Sequence, residues 1–401
     1  MKKLAYLIGF FSLIFIPYFY GIKIVDLFLL ITLYILIIYV FLKKITFNKI
    51  SVIYLCLFMF YFICTIMGAV YNTESYNGIF VSIRYILIFI TSLLLLLYNS
   101  SMYQYYKKGF VHIAYLTVLW ILLDTLYYYY GNIGISINEH LFSTLMIGND
   151  HVLTNRFKIG DLPLLLRASG FGWDPGGIAP ALLIAFIIQS YEKGKYKFLL
   201  ILGILLTLSK TTIIILIFFL IYKFLEQYNQ KVSYFLIFSF FIIVFTISLI
   251  ANEKIRSVYG DGNFRHIKYP SSIIYNLNTS PLEFLFGYGY RGTGEFFYKH
   301  VDWMKSQDFM NSIADSKNKV VESSFTNLFL YGGFLGSLIY FSFICIAIFF
   351  GTKEERAIVA FIMMSFVGYT FENLWTNMFI YMILFRIIQR RGIKFDKFYN
   401  N

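Results

Sequence analysis

The chain has 401 residues, of which 59% are hydrophobic and only 14% charged, and its mean hydropathy is +0.69. A soluble domain carries about a quarter charged residues, so this composition excludes an ordinary soluble enzyme and predicts a polytopic membrane protein. The net charge of +13 is no signal for nucleic acid, because the basic residues follow a topology set out below. Cys56, Cys64 and Cys345 all fall inside apolar runs, with no disulfide or zinc-type spacing, and the histidines are scattered. Neither a metal nor a cofactor is expected.

Met1-Lys2-Lys3 opens on an apolar run that no small-residue cleavage site follows, so it reads as a first membrane helix and not as a leader. Twelve apolar runs follow one another: 4–20, 24–42, 50–70, 79–97, 109–130, 177–191, 197–208, 211–225, 232–250, 324–350, 357–371 and 375–389. Most approach the roughly 20 residues that a span requires. The runs at 197–208 and 211–225 are short and have Ser209-Lys210 between them. They form one long broken span or two short helices meeting inside the bilayer. A charge there is tolerated only inside protein or facing water.

With the N-terminus in the cytoplasm, alternate connections collect the basic residues. They hold Lys43, Lys44 and Lys49, then Lys107 and Lys108, then Lys193, Lys195 and Lys197, then Lys223 and Lys231, then Lys353 and Arg356, and last Arg390, Arg391, Lys394 and Lys397. The acids on that side are few: Glu192, Glu226, Glu354, Glu355 and Asp396. This is the positive-inside pattern, and it predicts a multi-pass protein of the cytoplasmic membrane with both termini inside. It also requires 197–225 to return to the cytoplasm, which favours a hairpin of short helices. Two long connections, 131–176 and 251–323, then face outward. Their aromatic and charged content predicts ordered structure at the membrane surface. No internal repeat or soluble domain boundary interrupts residues 1–401, so the expectation is one all-α transmembrane domain.

The first stretch with chemistry in it is Arg167-Ala-Ser-Gly-Phe-Gly-Trp-Asp-Pro-Gly-Gly-Ile-Ala-Pro180. Gly170 and Gly172 permit tight turns, Pro175 suits the first position of a helix, and Asp174 before it is a candidate N-cap. A helix N-terminus beside Arg167 is a ready site for an anionic group. The second is Leu206-Thr-Leu-Ser-Lys210, with a lysine between apolar runs that either snorkels or serves a site. Arg84 lies inside the fourth run, with Asp26 or Asp124 as a structural ion-pair partner. The outer loops add Arg156, Asp161, Arg265, Arg291 and Glu295. For a single loop arginine, a salt bridge or interface anchor is the commoner use. The last stretch runs from Glu322 through Gly332, Gly333 and Gly336. Its carboxylate stands at the mouth of a span, placed to take a proton from a hydroxyl or simply to suit a helix start.

These stretches together resemble the Wzy-type O-antigen and capsule polymerases and the related O-antigen ligases of bacterial envelope assembly. Arg167 to Pro175 looks like that family's Arg-x-x-Gly-x-x-x-acid-Pro signature. Leu206 to Lys210 is similar to its Thr-x-Ser-Arg motif, with lysine in place of arginine. Arg265 followed by Pro281-Leu-Glu-Phe-Leu-Phe-Gly-Tyr-Gly289 resembles the pattern of the large outer loop, with extra residues before the glycines. Glu322 to Gly336 resembles the His-Asn…Gly-x-x-Gly segment and puts a glutamate where ligases keep a histidine. That departure favours a polymerase.

The resemblance implies a GT-C-like membrane glycosyltransferase. Its donor and acceptor are undecaprenyl-pyrophosphate-linked oligosaccharides, and its product is O-antigen, capsule or exopolysaccharide at the outer membrane face. Its partners are membrane lipid, a Wzz-like chain-length regulator and a flippase. Arg167, Lys210 and Arg265 then grip the pyrophosphate in place of a metal, with Arg291, Arg84, Gly170 and Gly172 in the substrate site. Glu322, or Asp174 as second choice, assists the acceptor hydroxyl. Trp173 and Tyr290 stack on sugar faces. Two alternatives stand beside this reading: an envelope glycan ligase, and a glycan transporter or flippase.

Overall fold

A computed structural model of the chain describes residues 1–14, 18–19, 22–43, 49–72, 77–131, 136–138, 146–147, 156–157, 165–172, 174–228, 237, 239, 275–290, 292–300, 302, 323–367 and 373–399. They build an all-α protein of the membrane type. Four helices have the length and apolar composition to cross a bilayer: Val52–Asn72, Gly78–Tyr98, Met102–Tyr130 and Ser324–Phe350.

Among the described residues, the run at 4–20 is helical only over Lys2–Phe11 (α1), and Tyr18–Phe19 is a strand, which corrects the expected first span. Ten residues rise about 15 Å, half of a bilayer core. Ser12 ends the helix by donating its hydroxyl to Gly9 O at 2.7 Å. Tyr18–Phe19 (β1) then pairs antiparallel with Ile22–Lys23 (β2) and parallel with Met146–Ile147 (β3). The connection between α5 and α6 is thus tied to the N-terminal segment. A second ribbon pairs Arg156–Phe157 (β4) with Leu165–Leu166 (β5).

The next helices follow the apolar runs: Ile24–Lys43 (α2), Lys49–Asn72 (α3), Asn77–Tyr98 (α4) and Met102–Tyr130 (α5). Gly9 of α1 and Gly109 of α5 lie against each other's backbone, where a Cβ on either would strike a carbonyl. Small residues of this kind let membrane helices approach closely. Aromatic rings fill the middle: Phe58 stacks on Phe343 at 4.1 Å and on Phe89 at 4.6 Å. Pro175–Tyr191 (α6) is buried from Ile178 to Ile188 without a break. An apolar helix with no polar face belongs at the centre of a bundle, and α6 is there.

Lys197–Leu206 (α7) and Lys210–Tyr228 (α8) form the returning hairpin. Gly203 of α7 packs on Val118 and Leu182, half-way along α5 and α6. On the way back, Phe219 meets the Phe186 ring at 5.7 Å, and Glu226 accepts from Tyr191 Oη at 2.8 Å. Thus α8 runs alongside α6 in the same direction and ends where α6 ends. The break at 207–209 carries Leu208 at φ 49°. The expected span at 232–250 lies outside the described residues, apart from 237 and 239.

The helix Ser324–Phe350 (α11, after two short helices introduced below) is not one rod. Gly333 interrupts it at φ 62°, ψ −162°. A straight helix would set residues 325 and 341 about 24 Å apart. Their rings are instead 6.4 Å apart, and Ser337 Oγ donates to Leu328 O at 3.3 Å. Residues 324–332 therefore fold back along 334–350, which corrects the expected single span. The first arm starts about 10 Å down the side of the second, part-way into the bundle.

Lys353–Met364 (α12) runs back up, a 3₁₀ turn follows at Ser365–Val367, and Leu374–Tyr399 (α13) closes the fold. Thr352 and Glu355 form a capping box at the start of α12. At this end of the bundle the charges are paired. Lys107, only 3% exposed, holds Glu192 at 2.6 Å and Glu354 at 2.7 Å. Glu355 sits between Arg386 and Arg390. The Arg356 guanidinium donates to Ile348 O and Gly351 O, the free carbonyls at the end of α11.

Candidate functional site

At the opposite end, the stretch from Arg167 to Gly177 folds onto α5 and the first turn of α6. Phe171 stacks on Trp120 at 5.3 Å. Trp120 Nε1 donates to Asn138 Oδ1 at 2.8 Å, and Asn138 Nδ2 donates to Gly170 O at 2.8 Å and Ser169 Oγ at 3.2 Å. Gly170 adopts φ 59°, and a Cβ there would meet Thr117. Gly172 closes the turn by donating to Ser169 O at 3.0 Å and packs on Ile178. Pro175 takes the first helical position, as the sequence predicts. Asp174 stands at the N-cap with extended φ −137°, ψ 138°, but its side chain makes no cap hydrogen bond.

Arg167 is half-buried in this turn. Its Nε is fully buried and has no hydrogen-bond partner. A buried donor left unmade costs about 1–3 kcal/mol, and one on a charged group more. The orphan donor therefore marks a place where an acceptor is wanted.

Three further helix starts lie near this turn. From Phe219, level with Phe186, nine residues back along α8 climb about 13 Å to Lys210, level with the first turn of α6. Gly177 faces the Asn373 amide, one residue before α13. The first arm of α11 starts against the 3₁₀ turn, with the Phe325 and Phe366 rings 5.8 Å apart. That turn in turn packs on α8. So α6 and α13 begin beside each other, the first arm of α11 begins against Ser365–Val367, and α8, which packs on that turn, begins level with α6. Each start carries partial positive charge. Discontinuous helices that aim their N-termini at one zone are how membrane proteins seat anionic groups within the bilayer depth.

The start of the α11 arm and that of α13 are polar in an otherwise apolar core. Ser324, Thr326, Asn327, Thr376 and Asn377 are all fully buried. Thr207, Ser209 and Thr212 line the α7–α8 break, with Ser209 Oγ and Thr212 Oγ1 3.0 Å apart. Charged residues alone do not point to this zone. Its signal in the sequence is threonine and asparagine side by side inside apolar segments, at Thr326-Asn327 and Thr376-Asn377.

No protein-family model matches the chain, and no curated protein matches it. What the site can do therefore follows from its geometry.

Other expected site residues fall elsewhere. Arg84 turns its Nε and Nη2 on Asp26 Oδ1 at 3.0 and 2.8 Å, the structural ion pair. Asp124 accepts from Ile137 N at 2.6 Å. Tyr290 is buried, with its ring stacked on Tyr85 at 4.3 Å and its hydroxyl 3.2 Å from that of Tyr61. Trp173, Arg265, Arg291 and Glu322 lie outside the described residues.

The two glycine motifs of the second half meet each other. Pro281–Phe286 (α9) leads into a strap, Gly287 to Tyr290, and then Thr293–Lys299 (α10). Tyr288 N donates to Leu330 O at 2.5 Å and Gly289 N to Tyr331 O at 3.0 Å, the carbonyls that the bend at Gly333 frees. Gly287 and Gly289 have φ 71° and 74°, and Gly289 lies on the backbone of Ala69. Asn72 Nδ2 donates to Gly287 O at 2.6 Å, and Lys299 Nζ to Asn72 O at 3.1 Å. Beneath the strap, His300 stands between Tyr275 (Nδ1, 3.1 Å), Tyr288 (Nε2, 3.0 Å) and Glu283 (Nε2, 3.3 Å). Burial raises the Glu283 carboxyl, but hydrogen bonds from His300, Tyr288 and Ser280 and the charge of His300 outweigh it, and the pKa ends below the ordinary 4.5.

Proposed function

We propose that the chain is a glycosyltransferase that polymerises undecaprenyl-pyrophosphate-linked oligosaccharide repeat units, with the end that carries Arg167 facing outward from the cytoplasmic membrane. The observation that carries this reading is the buried Nε of Arg167, which has no hydrogen-bond partner among the described residues, in the turn that leads into α6. A guanidinium and helix N-termini together suit a pyrophosphate, whose oxygens accept from all of them. The paired charges at the other end fit a cytoplasmic surface.

In the reaction, the acceptor hydroxyl oxygen bonds to the anomeric carbon of the donor sugar. The bond from that carbon to the pyrophosphate oxygen breaks, and the lipid pyrophosphate leaves with the electron pair. Arg167, Lys210 and the dipoles of α6 and α8 stabilise the charge it gains. The hydroxyl proton goes to a carboxylate, Glu322 or Asp174. Arg265 completes the cation set in the family pattern, and a GT-C-like architecture belongs to the same reading.

Arg167→Ala should leave the protein in the membrane at normal abundance while single repeat units accumulate on their lipid. Long polymer from this variant overturns the assignment. Long polymer held on its carrier, with none transferred, would instead identify a ligase.

The helices that start near one another here favour a second reading, a transporter for a lipid-linked glycan. Purified protein given lipid-linked repeats in detergent separates the two. Elongation without a second compartment supports the transferase, and its absence alongside vectorial movement in vesicles supports the transporter.

A further inference from the structure

The first arm of α11 is the feature that the pyrophosphate does not explain. Nine residues, 324–332, begin part-way into the bundle and run back along 334–350 to the bend at Gly333, held in place by the strap at Leu330 and Tyr331. Packing alone does not call for a polar first turn there, yet Ser323, Ser324, Thr326 and Asn327 are all buried at 2% exposure or less. Thr326 is fully buried, and its Oγ1 has no hydrogen-bond partner. Ser323, the N-cap, makes no side-chain cap hydrogen bond. Apart from Phe325, the described side chains on this turn are hydroxyls and an amide, with no cation among them, whereas α8 starts on Lys210 and α6 follows the turn that holds Arg167.

We propose that the first turn of this arm is a separate subsite for a neutral, hydroxyl-bearing group, the sugar ring next to the pyrophosphate, and that Thr326 Oγ1 hydrogen-bonds one of its hydroxyls. This rests on the glycosyltransferase reading and divides the site in two. Cations and dipoles at α6 and α8 take the charged part of the lipid. The uncharged start of the α11 arm takes the sugar. A hydroxyl both donates and accepts, so it matches a sugar hydroxyl of either polarity. An ammonium or guanidinium could only donate.

Thr326→Val tests this, because valine keeps the shape and removes only the hydroxyl. If Thr326 is structural, the change destabilises the ligand-free protein. If the hydroxyl waits for a ligand, its removal leaves the melting temperature unchanged or raises it, since a buried group without a partner is lost. Binding is then measured with two probes on full-length protein in nanodiscs: undecaprenyl pyrophosphate without sugar, and the same lipid carrying one repeat unit. The expected result is unchanged affinity for the bare lipid pyrophosphate and about tenfold weaker binding of the sugar-bearing lipid, with Thr326→Ser restoring it. Equal effects on both probes, no effect on either, or a lower melting temperature without ligand overturns the subsite while the glycosyltransferase reading stands. Failure of the wild-type protein to bind either probe overturns both.

Discussion

The two ends of the bundle treat buried charges differently. At the end with Lys107, the buried charges have counter-charges: Lys107 holds two carboxylates and Glu355 holds two guanidiniums. Helices there are capped by Thr352 and by Arg356. At the other end, Arg167 Nε and Thr326 Oγ1 are buried with no hydrogen-bond partner among the described residues, and the starts of α6, α8, α13 and the α11 arm lie near one another. The first end pairs its charges, although Tyr103 Oη and Glu355 Oε1 are buried there without a hydrogen bond. The second is left incomplete at a cost in stability, as proteins are where a ligand completes the site. The Gly333 bend and its strap join the two, because the strap fixes the α11 arm whose start reaches the incomplete zone.

That contrast breaks in different ways under substitution. The largest effect falls on the junction. Gly333→Ala places a Cβ on the backbone of Leu285 and Phe286 at a left-handed φ. It should cost about 3 kcal/mol or more, seen as a collapsed melting temperature and aggregation on size exclusion. A near-normal melting temperature would mean that α11 straightens without penalty. Next comes the paired end. Glu192→Gln with Glu354→Gln strands the Lys107 charge at 3% exposure. The partners are themselves partly exposed, so the expected loss is about 2 kcal/mol, and Lys107→Met on that background should restore part of it. The sign then reverses at the open end. Arg167→Met keeps the stem and removes an unsatisfied donor, so ligand-free stability should rise by about 1 kcal/mol while stabilisation by undecaprenyl pyrophosphate disappears. A fall in ligand-free stability would show that Arg167 is structural.

Features set by neighbours in sequence were legible. Pro175 starts α6 because proline suits a first helical position, and the lysines at 193–197 and 223 placed both ends of the α7–α8 hairpin on one side. Features set by distant partners were not. The run 324–350 reads as one span because its apolar pattern is the same straight or folded. What folds it is the strap at 287–290, which satisfies the freed carbonyls of Leu330 and Tyr331. The short α1 escaped for a similar reason, since a run of 17 apolar residues does not disclose that Gly9 will dock on Gly109. Arg84 had two candidate acids, and only the packing of α2 on α4 selects Asp26. An aromatic-rich loop suggests a sugar platform at Tyr290, but composition cannot tell a ring on a surface from one stacked on Tyr85.

The smallest expected effect concerns the pH response of the strap. Glu283 lies under it with a pKa below 4.5, held there against burial by His300, Tyr288 and Ser280. A carboxylate whose folded pKa is depressed contributes stability above its unfolded value, and loses that contribution as pH falls through the folded value. Folding should therefore be weaker at pH 4 than at pH 7, and the part due to Glu283 should vanish in Glu283→Gln. Other charges near the cluster are Glu295 and Lys299 of α10, and Lys299 reaches Asn72 O. Glu295→Gln serves as the control. The site of the loss matters more than its size. Because the strap caps the α11 arm, proteolysis between α9 and α11 should quicken at low pH in the wild-type chain and be less pH-dependent in Glu283→Gln. Equal acid sensitivity in both would place the titrating group elsewhere and detach the His300 cluster from the strap.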